Sequence, residues 1–340
     1  MTTTTDPSQQ APTPERFFRA VNAYQQTEAI KAALELELFT TIAEGNTTAK
    51  AIAARCQTAE RGARILCDFL TIHGFLTKNG DSYALAPDAE MFLNKNSRAY
   101  LGGAVGFLLT PHIREANGSL TDAVRRGGAA TGEGTLKTEN PDWVKFAEAM
   151  MPMMFMPAQM AAAELRKGGE SLKVLDIAAS HGIYGISVAQ QNPGAHIYAS
   201  DWKNVLEVGI RNAAAMGLGD RYHPLPGDAF QTDFGTGYDL VLIPNFLHHF
   251  DVPTCTAFMR KVHTALAPGG RAAIIEFVPN PDRVTPATPA AFSMMMLVTT
   301  PSGDAYTFAE LESICKDAGF SSVEPTPAQV GVSTLVVAHK

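Results

Sequence analysis

The stretch from Lys173 to Trp202 constrains the fold of this chain more than any other. It opens with an apolar run typical of a buried strand (Val174–Ile177), passes through a turn of small residues (Ala178–Gly182) into a helical pattern, and ends a second strand on Asp201. This order predicts a βαβ unit of the mononucleotide-binding type. In such a unit a ligand approaches the backbone closely where the helix begins, and an acid after the second strand binds ribose hydroxyls.

The turn of this unit is poor in glycine. Ala178, Ala179 and Ser180 stand where a dinucleotide site carries the glycines that admit a pyrophosphate. The turn therefore predicts a nucleoside-bearing ligand other than NAD, and an NAD-dependent dehydrogenase is the disfavoured alternative.

The segments after this unit alternate between strand and helix, which predicts a doubly wound parallel sheet. The last two strands are joined by a connection too short for a parallel crossover, so they are predicted to pair antiparallel. The predicted fold class is α/β: a Rossmann-like, seven-stranded doubly wound sheet with an antiparallel last strand, plus a mostly α-helical winged-helix N-terminal domain. The predicted strands are Val174–Ile177, His196–Ser200, Tyr222–Leu225, Tyr238–Ile243, Ala272–Phe277, Ser322–Thr326 and Ser333–His339, and the predicted helices between them are Ile183–Gln191, Asn204–Met216, Pro253–Leu266 and Phe308–Ala318.

The N-terminal part of the chain predicts a winged-helix module. Apolar residues recur at helical spacing from Glu15 to Thr41, and two further helices are predicted at Ala49–Cys56 and Ala59–His73. An Asn79-Gly80 turn between two short strands then indicates a β-hairpin. Three helices followed by a hairpin are typical of a winged helix.

The middle of the chain is predicted as two more helices between Ala89 and Arg126, a polar loop from Thr131 to Asn140, and a helix from Asp142 to Lys167. We therefore predict three parts. They are a disordered tail at residues 1–14, a winged-helix dimerisation domain at residues 15–97, and a helical substrate region with the nucleoside-binding domain at residues 98–340, whose core begins at residue 170.

Charge and composition exclude several function classes. The formal net charge is −7, so no global field attracts nucleic acid. The third N-terminal helix carries Arg61 and Arg64 but also Glu60 and Asp68, whereas a DNA-binding face is clearly basic. A dimerisation module is therefore favoured over a DNA-binding regulator, which stays as an alternative from another class.

The cysteines and the apolar runs bear on the compartment. The 4 cysteines show no paired spacing, which favours ordinary thiols over disulfides or a metal site, so no metal is expected. The N-terminus lacks the basic and apolar regions of a signal peptide, and no apolar run is long enough for a membrane span. We expect a cytoplasmic protein without a membrane partner.

Several motifs in order resemble the class I S-adenosylmethionine-dependent methyltransferases. The series is V-L-D-I-A-A-S-H-G, an acid after the second strand, G-D-A-F, L-H-H-F-D, P-G-G and I-I-E. With the winged helix, the chain resembles the small-molecule O-methyltransferases of secondary metabolism, of the plant caffeate and flavonoid type and the bacterial hydroxyneurosporene and polyketide type. The resemblance covers about residues 17–340 and implies a homodimer formed through the N-terminal domain.

The resemblance implies a set of S-adenosylmethionine contacts. The methionine part is expected at Asp176 and the turn after it, the ribose hydroxyls at Asp201, the adenine at Trp202 and the G-D-A-F motif, and the sulfonium end at the residues after the fourth strand of the sheet. The implied cofactor-binding residues are Asp176, Ala178, Ser180, Asp201, Trp202, Gly227, Asp228, Ala229, Phe230 and Asn245.

The resemblance also implies a catalytic pair. The family's L-H-D-W-D run, whose first histidine is the general base, matches the stretch that begins at Leu247, so His248 is the expected base and His249 stands where the family has aspartate. A histidine suits proton removal near neutral pH. Glu276 matches a glutamate that flanks the base and orients it, in the manner of an Asp-His pair. The alternatives are histidines with a structural role and a strand-end acid that faces water.

One departure from the family weakens this inference. The family's second orienting glutamate lies in G-K-E-R-T, and the matching stretch here is G-D-A-Y-T, with Ala305 in place of the glutamate. Asp304 and Tyr306 are the candidates to compensate. The gap leaves open a C- or N-methyltransferase, and a relative that acts by positioning alone.

The acceptor is expected to be an apolar, hydroxylated aromatic or polyene small molecule. A methionine-rich run from Met150 to Met160 is either core packing or an adaptable pocket wall. The candidate acceptor-pocket residues are Phe107, Met150, Met154, Phe155, Phe292, Met294 and Met295.

Overall fold

The computed structural model describes residues 12–130, 139–166 and 171–340. Most of the predicted tail at residues 1–14 and most of the predicted loop at residues 131–140 lie outside the described residues. The chain divides into two compact units, Met1–Gly102 and Gly103–Lys340. The predicted boundary between residues 97 and 98 lies close to this division.

The first unit is mainly helical, but the single helix predicted from Glu15 to Thr41 is wrong. Three helices occupy that stretch. Asn22 lies between the first helix and the second and belongs to neither. Glu37 separates the second from the third, because it adopts a left-handed conformation (φ 54°) through which a helix cannot continue. The helices of this unit are α1 (Glu15–Val21), α2 (Ala23–Glu35), α3 (Leu38–Ala43), α4 (Ala49–Cys56), α5 (Glu60–Ile72) and α6 (Pro87–Leu93).

A β-hairpin follows α5, as predicted. Its strands, β1 (Leu76–Asn79) and β2 (Ser82–Leu85), pair antiparallel with Asn79 opposite Ser82. Gly80 takes the positive φ (58°) that such a tight turn requires. Two cations of this region are paired with one acid: Arg64 and Lys78 lie 2.9 and 2.6 Å from the Asp68 carboxylate.

The second unit contains the predicted seven-stranded sheet, in the order β5-β4-β3-β6-β7-β9-β8. Strands β3 to β7 pair in parallel, β9 pairs antiparallel with β7, and β8 pairs antiparallel with β9. The α/β class and the reversed C-terminal hairpin are therefore confirmed. The strands are β3 (Leu172–Ile177), β4 (Ala195–Asp201), β5 (Tyr222–Pro226), β6 (Tyr238–Pro244), β7 (Leu266–Glu276), β8 (Ser322–Val330) and β9 (Ser333–His339).

The helices of the second unit differ from the prediction in three places. Between Ala89 and Arg126 the structure has the end of α6 and the three short helices α7, α8 and α9 in place of the two predicted helices. Helix α14 was not predicted. Strand β7 begins at Leu266, so the P-G-G motif lies within the strand beside a register shift. The helices are α7 (Val105–Leu108), α8 (Pro111–Gly118), α9 (Leu120–Arg126), α10 (Asp142–Glu164), α11 (Ile183–Gln191), α12 (Lys203–Ala215), α13 (Val252–Ala265), α14 (Ala287–Thr299) and α15 (Phe308–Asp317).

Both faces of the sheet are buried, and alternate residues of a strand point to opposite faces. Val174 packs in a cluster with residues of α10, α11 and α12, whereas Leu175 packs in a second cluster with residues of α13 and α15. This double cover leaves the carboxyl ends of the parallel strands as the open edge of the sheet, where ligands bind in such folds. In the described part of the chain, no helix combines the length and the hydrophobicity that a membrane span needs.

Candidate active site

The turn after β3 holds its backbone in a conformation that favours glycine, although it has little glycine. Ala178 and Ser180 have φ angles of 51° and 53°, and Gly182 has a φ of 73°. Non-glycine residues pay for this left-handed geometry with local strain, which is typical of sites where function selects the backbone path. The helix α11 begins directly afterwards at Ile183.

Three buried polar atoms face this edge of the sheet without a partner. Asp176 accepts a hydrogen bond from the backbone N–H of Gly185 at its Oδ2 (3.0 Å). Among the described residues, no hydrogen-bond partner reaches Asp176 Oδ1, Ser180 Oγ or Asn245 Oδ1. Buried polar atoms in native proteins are nearly always hydrogen-bonded, so this group of orphans indicates a polar ligand. Burial raises the pKa of Asp176 well above its usual range.

Asp201 ties the turn after β3 to the end of β4. Its Oδ2 accepts from the backbone N–H of Ser180 (2.8 Å), and its Oδ1 accepts from the backbone N–H of Trp202 (2.7 Å). Each oxygen keeps a second lone pair, which a ligand hydroxyl can use. Burial raises the pKa of Asp201 to about 6. Its backbone carbonyl accepts from Gly227, so the G-D-A-F motif starts beside it (3.0 Å).

The G-D-A-F motif forms a compact turn after β5. The Asp228 carboxylate accepts from the backbone N–H of Phe230 (2.9 Å), and Lys261 donates to the carbonyl of Ala229 (2.8 Å). Phe230 joins an aromatic cluster whose other members are Phe246, Phe250 and Phe258. Trp202 instead packs beside a small cluster that includes Ala147, Val205 and Val208.

The predicted pair of His248 and Glu276 is in contact. Nδ1 of His248 lies 2.6 Å from Oε2 of Glu276, and the two residues are 4% and 2% exposed. The other oxygen, Oε1, accepts backbone N–H bonds from Phe246 (3.0 Å), Leu247 (2.9 Å) and His248 (3.3 Å). Glu276 is thus not a strand-end acid facing water: one carboxylate orients the imidazole and holds the turn that carries it.

His249 has a different environment. Its Nδ1 is buried with no hydrogen-bond partner in the described residues. Burial, and then the neighbouring His248, lower the pKa of His249 well below its usual range. Its ring contacts the ring of Trp143 edge-on, with centroids 5.6 Å apart. The two histidines therefore differ: His248 is hydrogen-bonded to a carboxylate, whereas His249 is a neutral group among aromatic rings.

Aromatic side chains continue on both sides of these histidines. Trp143 contacts Phe107 and Phe146 (6.4 and 5.7 Å between centroids), and the ring of Phe292 lies 4.8 Å from that of His248 and 4.1 Å from that of Phe277. The contacts thus join two of the predicted acceptor-pocket residues, Phe107 and Phe292, to one wall.

The other predicted pocket residues have varied positions. Met154 contacts the hydroxyl of Tyr184 (3.9 Å to its Sδ), and Met150 is buried. Phe155 and Met294 are 37% and 50% exposed, and Met295 is half-buried. Ring contacts do not join these five residues to the aromatic wall within the described structure.

Sequence reasoning missed several residues of this site. Trp143, Tyr184 and Phe277 all contact it, yet none belongs to a motif of the resemblance. Tyr306, named above as a candidate to compensate for Ala305, also contacts the site. The one available signal was that Trp143 is 1 of 2 tryptophans in the chain and begins the helix that carries the methionine run.

Two family models match this chain. One is an O-methyltransferase dimerisation domain, which matches residues 18–95, and the other is an O-methyltransferase domain, which matches residues 132–321. The second match alone covers more than half of the chain.

Solved structures share the fold over nearly the whole length. A Nostoc punctiforme protein assigned to the O-methyltransferases is 51% identical, with a TM-score of 0.94 over 97% of this chain and 100% of that one. Human N-acetylserotonin methyltransferase in complex with S-adenosylmethionine is 19% identical, with a TM-score of 0.83 over 100% of this chain and 99% of that one, which shows the shared fold.

Characterised relatives transfer methyl groups to different atoms. The tetracenomycin polyketide synthesis 8-O-methyltransferase TcmO of Streptomyces glaucescens is 26% identical over 96% of this chain and 97% of its own. The N,N-dimethyltransferase OxyT of Streptomyces rimosus is 27% identical over 79% of this chain and 80% of its own. With both family models matched and the methyltransferase fold present, this chain belongs to the S-adenosylmethionine-dependent O-methyltransferase family, and S-adenosylmethionine is its cofactor.

Proposed function

We propose that this enzyme methylates a hydroxyl group of an apolar aromatic or polyene small molecule, with His248 as the general base. The observation that carries the proposal is the contact between His248 and Glu276, 2.6 Å apart and buried. A carboxylate in this place orients the imidazole and stabilises its charged form, as in an Asp-His pair.

The residues at the open edge of the sheet fit the cofactor. Asp201 presents two carboxylate oxygens to the ribose hydroxyls, and Asp176 Oδ1 is assigned as an acceptor for the methionine ammonium. Asn245 Oδ1, which also lacks a partner in the described residues, is assigned to the sulfonium end. The turn at Ala178 and Ser180 lets the methionine part approach the backbone. The G-D-A-F turn and Trp202 are assigned to the adenine. When bound, the cofactor supplies a methyl group activated by the sulfonium.

His248 is assigned the proton transfer. Its Nδ1–H donates to Glu276, which leaves Nε2 as the basic nitrogen that takes the proton from the acceptor hydroxyl. The resulting imidazolium is stabilised by the carboxylate beside it. His249 is less suited to this role, because burial lowers its pKa and no carboxylate contacts it in the described structure.

The wall beside the histidines indicates the chemistry of the acceptor. Trp143, Phe107 and Phe292 present ring faces and edges, and rings prefer aromatic or extended apolar partners. The two histidines supply the few polar contacts that an oriented hydroxyl needs. Of the predicted pocket set, Phe107 and Phe292 are supported by these ring contacts, and Met150, Met154, Phe155, Met294 and Met295 remain predictions.

Methyl transfer to carbon or nitrogen is the main rival. It keeps the cofactor site but gives the His248–Glu276 pair a structural role. A DNA-binding regulator is a weaker rival, since two cations of the winged helix are already paired with Asp68.

A screen of acceptors tests the proposal. The full-length enzyme is incubated with S-adenosylmethionine and a panel of hydroxynaphthalenes, hydroxyanthraquinones and hydroxylated polyenes. Mass detection follows products one CH₂ unit heavier, and the matched compounds with the hydroxyl replaced by hydrogen are the controls. We expect methylation of a hydroxylated compound and none of its control. Equal methylation of both compounds would point to a carbon acceptor and would overturn the assignment to oxygen.

The proposal includes a homodimer formed through the first unit. A family model for dimerisation matches residues 18–95. Apolar side chains on α1 and α5 are exposed in a single chain, among them Phe17 (64%) and Ile72 (79%), and such patches mark association surfaces. A sizing column coupled to light scattering is expected to give twice the chain mass, and the F17E variant is expected to shift it toward the monomer.

A further inference from the structure

The stretch Gly303–Thr307 lacks the second carboxylate that the resemblance leads one to expect. Ala305 stands in its place and is 1% exposed. Asp304 does not substitute for it, because its carboxylate pairs with Arg283 (3.1 Å), which also contacts Glu310. We propose that Tyr306 compensates as a positioning residue, holding the carbonyl side of the turn that carries His248. This inference rests on the proposed role of His248 as the base.

The turn from Phe246 to Phe250 is held on its N–H side by one group. The amides of Phe246, Leu247 and His248 all donate to Oε1 of Glu276. The next two amides bond within the turn: His249 donates to the carbonyl of Phe246 (3.3 Å) and Phe250 to that of Leu247 (3.1 Å). If the Glu276 carboxylate were the one group that held this turn, the end at Phe250 could tilt about that carboxylate.

Tyr306 closes that other end. Its hydroxyl donates to the carbonyl oxygen of Phe250, and the thiol of Cys255 donates to the carbonyl oxygen of Leu247 (3.2 Å). Tyr306 itself is 5% exposed and packs in the same core cluster as Leu247. The turn is therefore held by hydrogen bonds on two sides: its amides donate to Glu276, and its carbonyls accept from Tyr306 and Cys255.

The backbone next to Tyr306 is itself held in place. The next residue, Thr307, is the N-cap of α15, and its side chain and that of Glu310 form a reciprocal capping box. The hydroxyl therefore acts from a rigid helix end. Loss of this one hydrogen bond is expected to loosen the turn at Phe250 and to let the imidazole of His248 drift from its aligned position, to which proton transfer is sensitive.

The chain supplies a matched control for this bond. Tyr238 is also buried, and its hydroxyl also donates to the carbonyl of a phenylalanine, Phe234 (2.7 Å), at the start of β6 rather than at its end. Y306F and Y238F each remove one buried tyrosine hydroxyl from one carbonyl acceptor. Comparable losses of stability are expected from both.

Hydrogen exchange tests the positioning without any acceptor. Exchange is followed by mass spectrometry in the full-length, cofactor-free protein, on peptides that contain residues 246–250. We expect Y306F to speed exchange there by roughly threefold to tenfold, since one hydrogen bond is lost from the turn, and Y238F to leave it at the wild-type rate. Wild-type exchange at residues 246–250 in Y306F would overturn the inference.

Kinetics add a second readout, on the acceptor found by the screen. Y306F is expected to lower kcat by about tenfold, with little change in the KM for S-adenosylmethionine, and Y238F to keep the wild-type kcat. Equal kcat values for the two variants would count against a role in positioning. If instead no hydroxylated acceptor is turned over, the proposed function fails, and the exchange result still decides whether Tyr306 holds the turn.

Discussion

The carbonyl oxygen of His248 lies against the α-carbon of Gly303. A β-carbon added to Gly303 would stand 2.2 Å from that oxygen and 2.9 Å from the carbonyl carbon of His249. Both atoms belong to backbone and cannot swing aside as the end of a side chain can. Gly303 is also tethered, because its N–H donates to the Thr300 hydroxyl (2.9 Å). Residue 303 has no room for a side chain, because the turn that carries the proposed base occupies the space where a β-carbon would lie.

The first prediction concerns this contact. G303A is expected to push the histidine turn away and to lower kcat by tenfold or more, because misplacement of about 1 Å at a reacting group costs on the order of 10²-fold. The control is G219A, since a β-carbon on Gly219 would meet nothing within 4 Å. Turnover and thermal unfolding are measured for both. A G303A enzyme with wild-type kcat would show that the turn tolerates the displacement.

The second prediction separates the two histidines. H248A is expected to lower kcat by about 10²- to 10⁴-fold, the usual contribution of a general base, and to leave the affinity for S-adenosylhomocysteine unchanged. H249A is expected to lower kcat by less than tenfold, because burial keeps His249 neutral and no carboxylate contacts it in the described residues. Single-turnover rates and calorimetric titrations with S-adenosylhomocysteine provide the measurements. The reverse order of losses would move the base to His249.

The third prediction concerns the carboxylate of the pair. E276Q keeps an oxygen for the backbone N–H groups of Phe246 and Leu247 but removes the charge beside His248. We expect a kcat at least 10²-fold lower with a well-folded protein. E276A is expected to unfold more easily as well, since it strands buried N–H groups, each at a cost of about 1–3 kcal/mol. Denaturant titrations and turnover together distinguish the two effects.

The fourth prediction is a pH dependence of cofactor binding. Burial raises the pKa of Asp201 to about 6, and in its proposed role the ionised form accepts the two ribose hydroxyls. At pH 5.5 about one quarter of the protein is ionised at this site, so the Kd for S-adenosylhomocysteine is expected to be about fourfold higher than at pH 7.5. The raised pKa of Asp176 acts in the same direction. Calorimetry across this range checks it, and D201N is expected to bind more weakly and to show a smaller pH dependence.

The same pKa has a consequence for stability without cofactor. Between about pH 4 and pH 6 the folded protein holds a proton on Asp201 that the unfolded chain has released. Protonation of Asp201 therefore stabilises the folded state. This stabilisation is fully present below the ordinary pKa of an aspartate and is lost as the pH rises through about 6. The free energy of unfolding of the cofactor-free D201N variant is therefore expected to fall less over this range than that of the wild type.

The fifth prediction concerns the strained turn. Ala178 has a φ of 51°, which costs an L-residue roughly 1–2 kcal/mol and glycine almost nothing. A178G is therefore expected to leave the free energy of unfolding unchanged or to raise it by up to about 1 kcal/mol, after the added flexibility of the unfolded chain is counted. A291G, at an exposed position within α14, is expected to lower it by about 1 kcal/mol. Equal losses in urea unfolding would mean that the turn stores no strain.

Local patterns of the sequence were enough for most of the fold. The apolar runs and the helical spacing predicted every strand of the large sheet, and the short link after β8 predicted its antiparallel end. The misses have local causes. The helix predicted from Glu15 to Thr41 divides because Glu37 takes a left-handed conformation, which apolar spacing does not report. Helix α14 was missed, as its apolar residues follow no single face.

The candidate site was predictable where a motif lies within one segment. The turn from Ala178 to Gly182 and the acid Asp201 are neighbours of strands whose order follows from the chain, so their meeting at one edge of the sheet was expected. The hydrogen bond from the backbone N–H of Ser180 to Asp201 joins the two segments at that edge. The assignment of these residues to parts of the cofactor stays a prediction.

By itself, the sequence determined the α/β class, the family resemblance and the segments assigned to the proposed cofactor site, because these depend on polarity patterns and on residues close in the chain. Only the tertiary structure decided how the proposed base is held. The pairing of Pro244 with Ile275 across β6 and β7 sets Glu276 beside the turn of His248. Tyr306, just before α15, reaches the far side of that turn although it is 56 residues away from Phe250 in the chain. Such contacts depend on strand register and helix packing, which act over distances that no local pattern encodes.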